Sequence, residues 1–381
     1  GENDVTDSYL DIFGIQLDAD LAPLSSVFQV NNVITDFDQL FPEIVASDNG
    51  DFFVVWYDRG HNLVDEPRAN VEGRFYHTDG IPITNELTVA ATADGLPFAP
   101  RTAAFTNEGV VATWSTVDPD YDVYFRFYHG GDAYSATRAN AQRRGIQDFS
   151  DVATCRDGRF VVVWQSGSPG TEVDGGIYGQ WFDLNGNAGE RIHINQHTQG
   201  FQRIPTVATT PDCQAVVLWQ SNGQDGDGEG IYGRIVNPDG SFATDEFRVN
   251  ESTAGNQGVG YTRAMAVVAD SDRSFFAAWQ SDPLSDGNWQ IVGRGFCWLT
   301  DSSDRVCGNA TCAGDPVGGE SSQSINATDA LTALRTAVGL DACSPCRCDV
   351  DRSGQVTTDD ALRILRAALA LPVQLDCEPC A

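Results

Sequence analysis

The stretch Phe160-Val161-Val162-Val163-Trp164-Gln165-Ser166, followed one acidic loop later by Ile177-Tyr178-Gly179-Gln180-Trp181, decides the fold of this chain. Both runs are rich in β-branched and aromatic residues, and Gly, Asp and Asn flank them, so they read as antiparallel strands joined by turns. The pair is not unique. A close copy centres on Trp219, and related copies centre on Trp56, Trp114 and Trp279, so the tryptophans stand 58, 50, 55 and 60 residues apart. Each unit reads as a strand ending in Val-Ala, an apolar strand ending in Trp, an acidic loop, a strand of aromatic-Gly-Arg character, and a closing strand near Val-Asn.

The third strand repeats a glycine, at Gly73, Gly179, Gly233 and Gly293, with Gly14 in a partial copy near the start. The copy at Val123-Tyr124-Phe125-Arg126 carries Phe instead. A glycine inside a strand leaves room for a large neighbour, and the repeating Trp is the expected occupant. Four-stranded sheets of this period bury both faces by stacking on the next copy, as the blades of a propeller do. The expected fold is therefore mainly β: a propeller of five Trp-centred blades, five or six in all, over residues 1–300. A Cys-containing linker (301–316) and a small helical module (317–381) follow.

The two ends of the array differ. Asp11 to Gln16 and Val27 to Asn31 resemble third and fourth strands with no first two before them, whereas the last Trp unit shows no fourth strand. Val27 to Asn31 is expected to complete the last blade and remove exposed edges. The strand at Ile12 to Gln16 is left over, with three placements open: a fifth strand on the last blade, part of a sixth irregular blade, or an addition to the edge of a neighbouring molecule, which would make head-to-tail polymers.

With 54 acidic against 23 basic residues the formal charge is −31, and every basic residue is Arg. Nucleic acid is excluded as a partner, because phosphate binding draws on clustered cations. Ten cysteines suit an oxidising compartment. Together with the absence of an apolar run long enough to span a membrane, they lead us to expect a secreted or cell-surface protein. Cys155 and Cys213 occupy equivalent hairpins of consecutive units and would staple them. Cys297, Cys307 and Cys312 lie at the exit from the array, and Cys343, Cys346, Cys348, Cys377 and Cys380 surround the last module, with connectivity open.

That module holds the sharpest local motif. From Asp349 to Asp360 the residues Asp349, Asp351, Ser353, Gln355, Thr357 and Asp360 fall at positions one, three, five, seven, nine and twelve of a calcium loop, with Gly354 at the turn. Ca2+ is the expected ion. The helix that follows carries Ala361, Leu362, Leu365 and Leu369 on one stripe, and an upstream helix repeats the phase at Leu331, Leu334 and Val338. The upstream loop is degenerate. The segments Asn326 to Leu331 and Cys348 to Arg366 resemble the duplicated loop-helix of type I dockerin modules. That resemblance implies two calcium ions and docking onto a cohesin or cell-surface protein. The upstream array resembles exported bacterial repeat propellers, which brings no activity with it.

Two readings of function follow. Repeat regularity favours an extracellular structural or adhesive protein that self-assembles. The alternative is a secreted polysaccharide-binding or glycoside-active protein recruited through its dockerin-like part, which would need paired carboxylates on a symmetry-breaking loop. The most deviant units are those of Trp56 and Trp114, so His61 to Arg68 and Val117 to Tyr121 are where such a site is sought. No catalytic residue is assigned from sequence. The acidic loops at Asp174, Asp225 to Glu229 and Asp282 to Asp286 read as solvated rims or calcium loops.

Overall fold

In the computed structural model, residues 10–297 are described apart from 19, 33–37, 61, 64–65, 68, 107–108, 118–120, 130–131, 142–144, 168–175, 259–264, 272–273, 283 and 285–286; beyond them, 355, 357, 358 and 361–363 are described. The chain divides into two compact units, Gly1–Val268 with Ala278–Val292, and Ala269–Ala277 with Gly293–Ala381.

The first unit is almost all strand. Blade A comprises Gln39–Ala46, Phe52–Asp58, Asn70–Tyr76 and Leu87–Ala90, paired antiparallel in that order. Blade B comprises Pro97–Ala104, Gly109–Thr116 and Val123–His129, with Asp132–Ala133 and Thr137–Arg138 both on the third strand. Blade C comprises Gln147–Thr154, Phe160–Ser166, Gly176–Phe182 and Ala188–His193, and blade D comprises Gln202–Thr209, Ala215–Asn222, Glu229–Val236 and Phe247–Arg248. A further sheet, E, whose strands are divided between the two units, has its first strand split into Asn256–Gln257 and Met265–Ser271, both on Ser274–Asp282, with Gln290–Cys297 on the other side. Among the described residues it has no fourth strand.

Strand alternation gives every blade two unlike faces. One carries the Trp, the other the third-strand Gly, and the Trp face of each blade packs on the Gly face of the one before it. Trp164, Tyr178 and Phe182 of blade C meet Phe125, Val111 and Ala139 of blade B. Trp219 and Tyr232 of blade D meet Val163, Ile177 and Trp181 of blade C. Trp114 and Tyr128 of blade B meet Phe53, Val71 and Val89 of blade A. Trp56, Trp114, Trp164, Trp219 and Trp279 are all buried, and burial of a large aromatic side chain is worth about 3 kcal/mol.

The glycine expectation needs correcting. Val55 pairs with Gly73 and Trp56 with Glu72, so glycine and tryptophan lie on opposite faces. A side chain at Gly73 would strike Phe53, at Gly233 Leu218 and Phe247, at Gly14 Phe28, and at Gly293 Phe276; at Gly179 it would crowd Ile194 and Val163. The glycines make room for second- and fourth-strand neighbours on their own face.

Two further regularities recur within the blades. A glutamine opening the first strand accepts from the indole N–H: Gln39 from Trp56 at 2.8 Å, Gln147 from Trp164 at 3.1 Å, Gln202 from Trp219 at 3.0 Å and Gln257 from Trp279 at 3.2 Å. An asparagine after the fourth strand accepts from the N–H that opens the third: Asn31 from Ile12, Asn140 from Val123, Asn195 from Ile177 and Asn250 from Ile231, at 2.7 to 2.8 Å. Blade B has Pro97 where the glutamine should stand, and the Nε1 of Trp114 has no partner.

The segment expected to clasp the last blade lies elsewhere. Phe28–Gln29 pairs with Phe13–Gly14, and this hairpin lays Ile12 and Val30 on Trp56 and Tyr76 of blade A. Arg74 Nη1 donates to Asn32 Oδ1 at 2.6 Å, and Tyr76 donates its hydroxyl to Val30 O at 3.1 Å. The hairpin repeats the third and fourth strands of a unit, and the repeated glycine and asparagine contacts hold its two strands together. In the second unit, Phe275 and Phe296 stack at 4.7 Å.

Candidate active site on the rims of blades C and D

The first strand of blades A to D bends at one residue in the left-handed region: Phe41 (φ 51), Ala99 (φ 49), Phe149 (φ 48) and Ile204 (φ 49). None is glycine, and such a conformation costs about 1 kcal/mol or more each for an L-residue. The ladder register shifts at the same place in each blade. The residue just before the bend is apolar in blades A and B, Leu40 and Phe98, and ionisable in C and D, Asp148 and Arg203.

Asp148 is buried and faces Gln165 across the ladder. Burial pushes its carboxyl up to about 7, with only the Gln165 hydrogen bond opposing. Its Oδ1 has no partner. Gln165 also reaches the next blade, accepting from Ile204 N at 2.8 Å. Beside Ile204, Arg203 Nη2 donates to Glu229 Oε1 at 2.9 Å, and Asn222 Nδ2 donates to the same oxygen at 3.2 Å. Glu229 is buried as well, and its Oε2 is unpartnered, as are Arg203 Nε and both amide atoms of Gln220. Buried polar atoms are normally satisfied by protein or by something bound. Asp148 and Gln165 pair on the glycine face of blade C, and Arg203, Gln220 and Glu229 group on the glycine face of blade D; the two groups hold five such atoms.

Blade A offers a second carboxylate pair. Asp58 and Glu72 replace the Ser and Tyr of blades C and D and lie on the Trp face. Burial pushes Glu72 up to about 7, against hydrogen bonds from Thr88 and Asn70 and with the Asp58 charge adding; burial likewise raises Asp58, against bonds from Gly60 N and Gln39. These acids have hydrogen-bond partners: Gln39 Nε2 donates to Asp58 Oδ1 at 3.0 Å and Thr88 Oγ1 to Glu72 Oε1 at 3.2 Å.

Of the cysteines, Cys155 and Cys213 are joined by a disulfide with their Cα atoms 5.4 Å apart, linking the first hairpins of blades C and D. Asp157 lies beside it, but oxidised sulfurs leave no thiolate to bind a metal. Cys297 ends the last strand, and Cys307, Cys312, Cys343, Cys346, Cys348, Cys377 and Cys380 lie outside the described residues. So do Asp349, Asp351, Ser353 and Asp360. Gln355 is exposed, and Ala361 N donates to Thr357 O at 3.4 Å where a helical turn begins. The loop Asp225 to Glu229 is partly tied up within the fold, since Asn250 Nδ2 donates to Asp225 Oδ2 and Gly255 N to Asp227 Oδ2. No three of the carboxylates in that loop converge on a metal position. His193 stacks on Tyr178 at 4.7 Å.

The side chains of His61 to Arg68 lie outside the described residues, as do residues 118–120. Asp148 is not singled out from sequence, and Glu229 enters there only as the end of an acidic loop read as a solvated rim or calcium loop. The available signal was the change from Leu40 and Phe98 to Asp148 and Arg203 at matched positions of the repeat.

No protein-family model matches the chain, and no curated protein matches it. Solved structures do. An α-L-arabinofuranosidase of Fusarium graminearum is 12% identical, with 72% of this chain and 81% of that one covered at a TM-score of 0.46. An α-L-arabinanase of Penicillium chrysogenum complexed with arabinobiose is 13% identical, covering 67% and 80%, TM-score 0.44. A protein of unknown function from Dyadobacter fermentans is 10% identical, covering 67% and 93%, TM-score 0.35. All three scores are below 0.5, so what those proteins bind or cleave is not carried over on that ground. Among the described residues no helix is long and apolar enough to cross a membrane.

Proposed function

We propose that this protein acts on polysaccharide as a glycoside hydrolase, with Asp148 as general acid and Glu229 as the second carboxylate. One observation carries the reading: two buried carboxylates on adjoining blades, Asp148 facing Gln165 and Glu229 paired with Arg203, each keep one oxygen without a partner. Glycoside cleavage needs two carboxyl groups in unlike states. Asp148, held up to about 7 by burial, retains its proton near neutrality and can give it to the glycosidic oxygen. Glu229, charge-paired with Arg203, stabilises positive charge at the anomeric carbon or activates a water. Gln220 and Arg203 Nε supply donors and an acceptor for sugar hydroxyls.

The remaining parts fit an extracellular setting. The loop at Asp349, Asp351, Ser353, Gln355, Thr357 and Asp360 would hold Ca2+, and the dockerin-like module would recruit the enzyme to a cohesin-like or surface partner. Reducing-sugar release from a panel of polysaccharides tests the activity. Hydrolysis by the native chain, abolished in Asp148→Asn and Glu229→Gln while both stay folded by circular dichroism, is the expected result. Undiminished hydrolysis by Asp148→Asn would end the assignment.

A further inference from the structure

One indole of the array is buried beside a pocket and has no partner. Two residues after the third-strand glycine, or after Phe125 in blade B, the repeat holds Gln16 in the hairpin, Phe75 in blade A, Phe127 in blade B, Trp181 in blade C and Ile235 in blade D. Where the hairpin meets blade A, Gln16 Nε2 donates to Thr78 O at 2.6 Å, in the turn between the third and fourth strands of that blade. Where blade C meets blade D the matching turn is closed in the same way, since Gly240 N donates to Asn237 O as Gly80 N does to His77 O. Pro238 takes the place of Thr78 there. Trp181 is 5% exposed, and its Nε1 has no partner, although buried donors are normally satisfied by protein or by something bound.

Beside that N–H is a pocket of about 290 Å³, bounded by Trp181, Gly189 and Ile192 of blade C and by Pro238, Gly240 and Phe242 of blade D. Arg234 lies with its guanidinium carbon 3.3 Å from the centre of the Phe242 ring, a contact that fixes the ring's orientation. Glu190 and Asp239 are exposed at the margin. Arg191 and His193 lay their side chains on Tyr178, on the other face of the blade. Gln165, which faces Asp148, pairs with Ile177, and Trp181 pairs with Val161. The pocket is therefore four residues along the ladder from the buried carboxyl, about 13 Å at the rise of a strand.

We propose that this pocket is a second saccharide-binding site, in which an oxygen of a neutral sugar accepts from Trp181 Nε1. A sugar ring offers both complements at once, C–H faces for the apolar walls and oxygens for the buried donor. Two carboxylates at the margin and a formal charge of −31 turn away acidic sugars. The volume is at the small end of ligand pockets and suits a short saccharide. The choice of ligand rests on the polysaccharide reading above; the site itself uses neither Asp148 nor Glu229.

The test is titration of the full chain, isotope-labelled at its indole nitrogens, with cellotriose, xylotriose, mannotriose and arabinotriose; the Asp148→Asn chain replaces the native one for any sugar that is cleaved. Trp181→Phe identifies the Trp181 resonance by its loss. At least one sugar is expected to shift that resonance saturably. Trp181→Phe, which keeps a ring and loses the N–H, is expected to weaken binding about tenfold in titration calorimetry. Gly189→Leu is expected to abolish binding by filling the pocket. Its backbone accepts a side chain, because a Cβ there meets only Trp181 O at 3.5 Å and Trp181 Cβ at 3.8 Å. A Trp181 resonance that none of the sugars moves at millimolar concentration, as when water serves the N–H, overturns the proposal. So does binding undiminished in Gly189→Leu. A shift without hydrolysis sinks only the catalytic assignment, and hydrolysis without a shift sinks only this site.

Discussion

Blade A holds the buried pair Asp58 and Glu72, and blades C and D hold Asp148 and Glu229; only the second pair keeps oxygens without a partner. In blade A, Gln39 and Gly60 serve Asp58, and Thr88 and Asn70 serve Glu72. In C and D, Asp148 and Glu229 each keep an oxygen without a partner. Burial raises Glu72 and Asp148 alike to about 7. A perturbed acid alone therefore does not mark a site here; the missing partners do.

The largest effect that would break this contrast is on turnover. Asp148→Asn is expected to lower hydrolysis by about 10²- to 10⁴-fold, and Glu72→Gln to leave it within error, measured as reducing ends released. Equal losses from both would erase the distinction between the rims. Next in size is the staple found between C and D, whose two cysteines are 58 residues apart. Replacing Cys155 and Cys213 by Ser should cost about 2–4 kcal/mol in urea unfolding.

A pH series sharpens the shared feature. Both carboxyls bind protons more tightly folded than unfolded, so their stabilisation is complete below the ordinary carboxylate range of about 4. It is lost as pH rises through about 7. The midpoint of thermal unfolding should fall between pH 5 and pH 8, and by less in the double variant Asp148→Asn/Glu72→Gln. An unchanged slope would show that other groups carry the dependence.

The smallest effects compare blade B with its neighbours. Gln147→Leu strands the Trp164 indole N–H and should cost about 1–3 kcal/mol. Pro97→Gln offers Trp114 the acceptor it lacks, with an expected gain of about 1 kcal/mol, read in the same denaturant assay.

The tryptophan period placed the sheets correctly in sequence because each indole fills an equivalent cavity between faces. The glutamine that serves it was equally visible, 17 residues upstream in blades A, C and D. It went unread because the hydrogen bond joins two strands whose pairing includes a bend, and in sheet E the split first strand stretches the spacing to 22. The glycine partner was misjudged because adjacent residues of a strand point to opposite faces. Asp148 was illegible for another reason: its unusual state depends on burial and on Gln165, which a chain with 54 acids cannot reveal residue by residue. The hairpin at Phe13 to Gln29 was recognisable as half a unit, whereas its choice of blade A over sheet E rests on tertiary contacts with Trp56 and Tyr76.

Because every blade brings both halves of the same directional junction, the array is indifferent to its own length. Duplicating or deleting one segment of about 55 residues, the middle of the observed spacings, would join compatible neighbours without any compensating change elsewhere. Such a chain can lengthen by recombination between its own repeats, and the buried carboxyls Asp148 and Glu229, confined to two adjoining modules, would keep their surroundings when others are added.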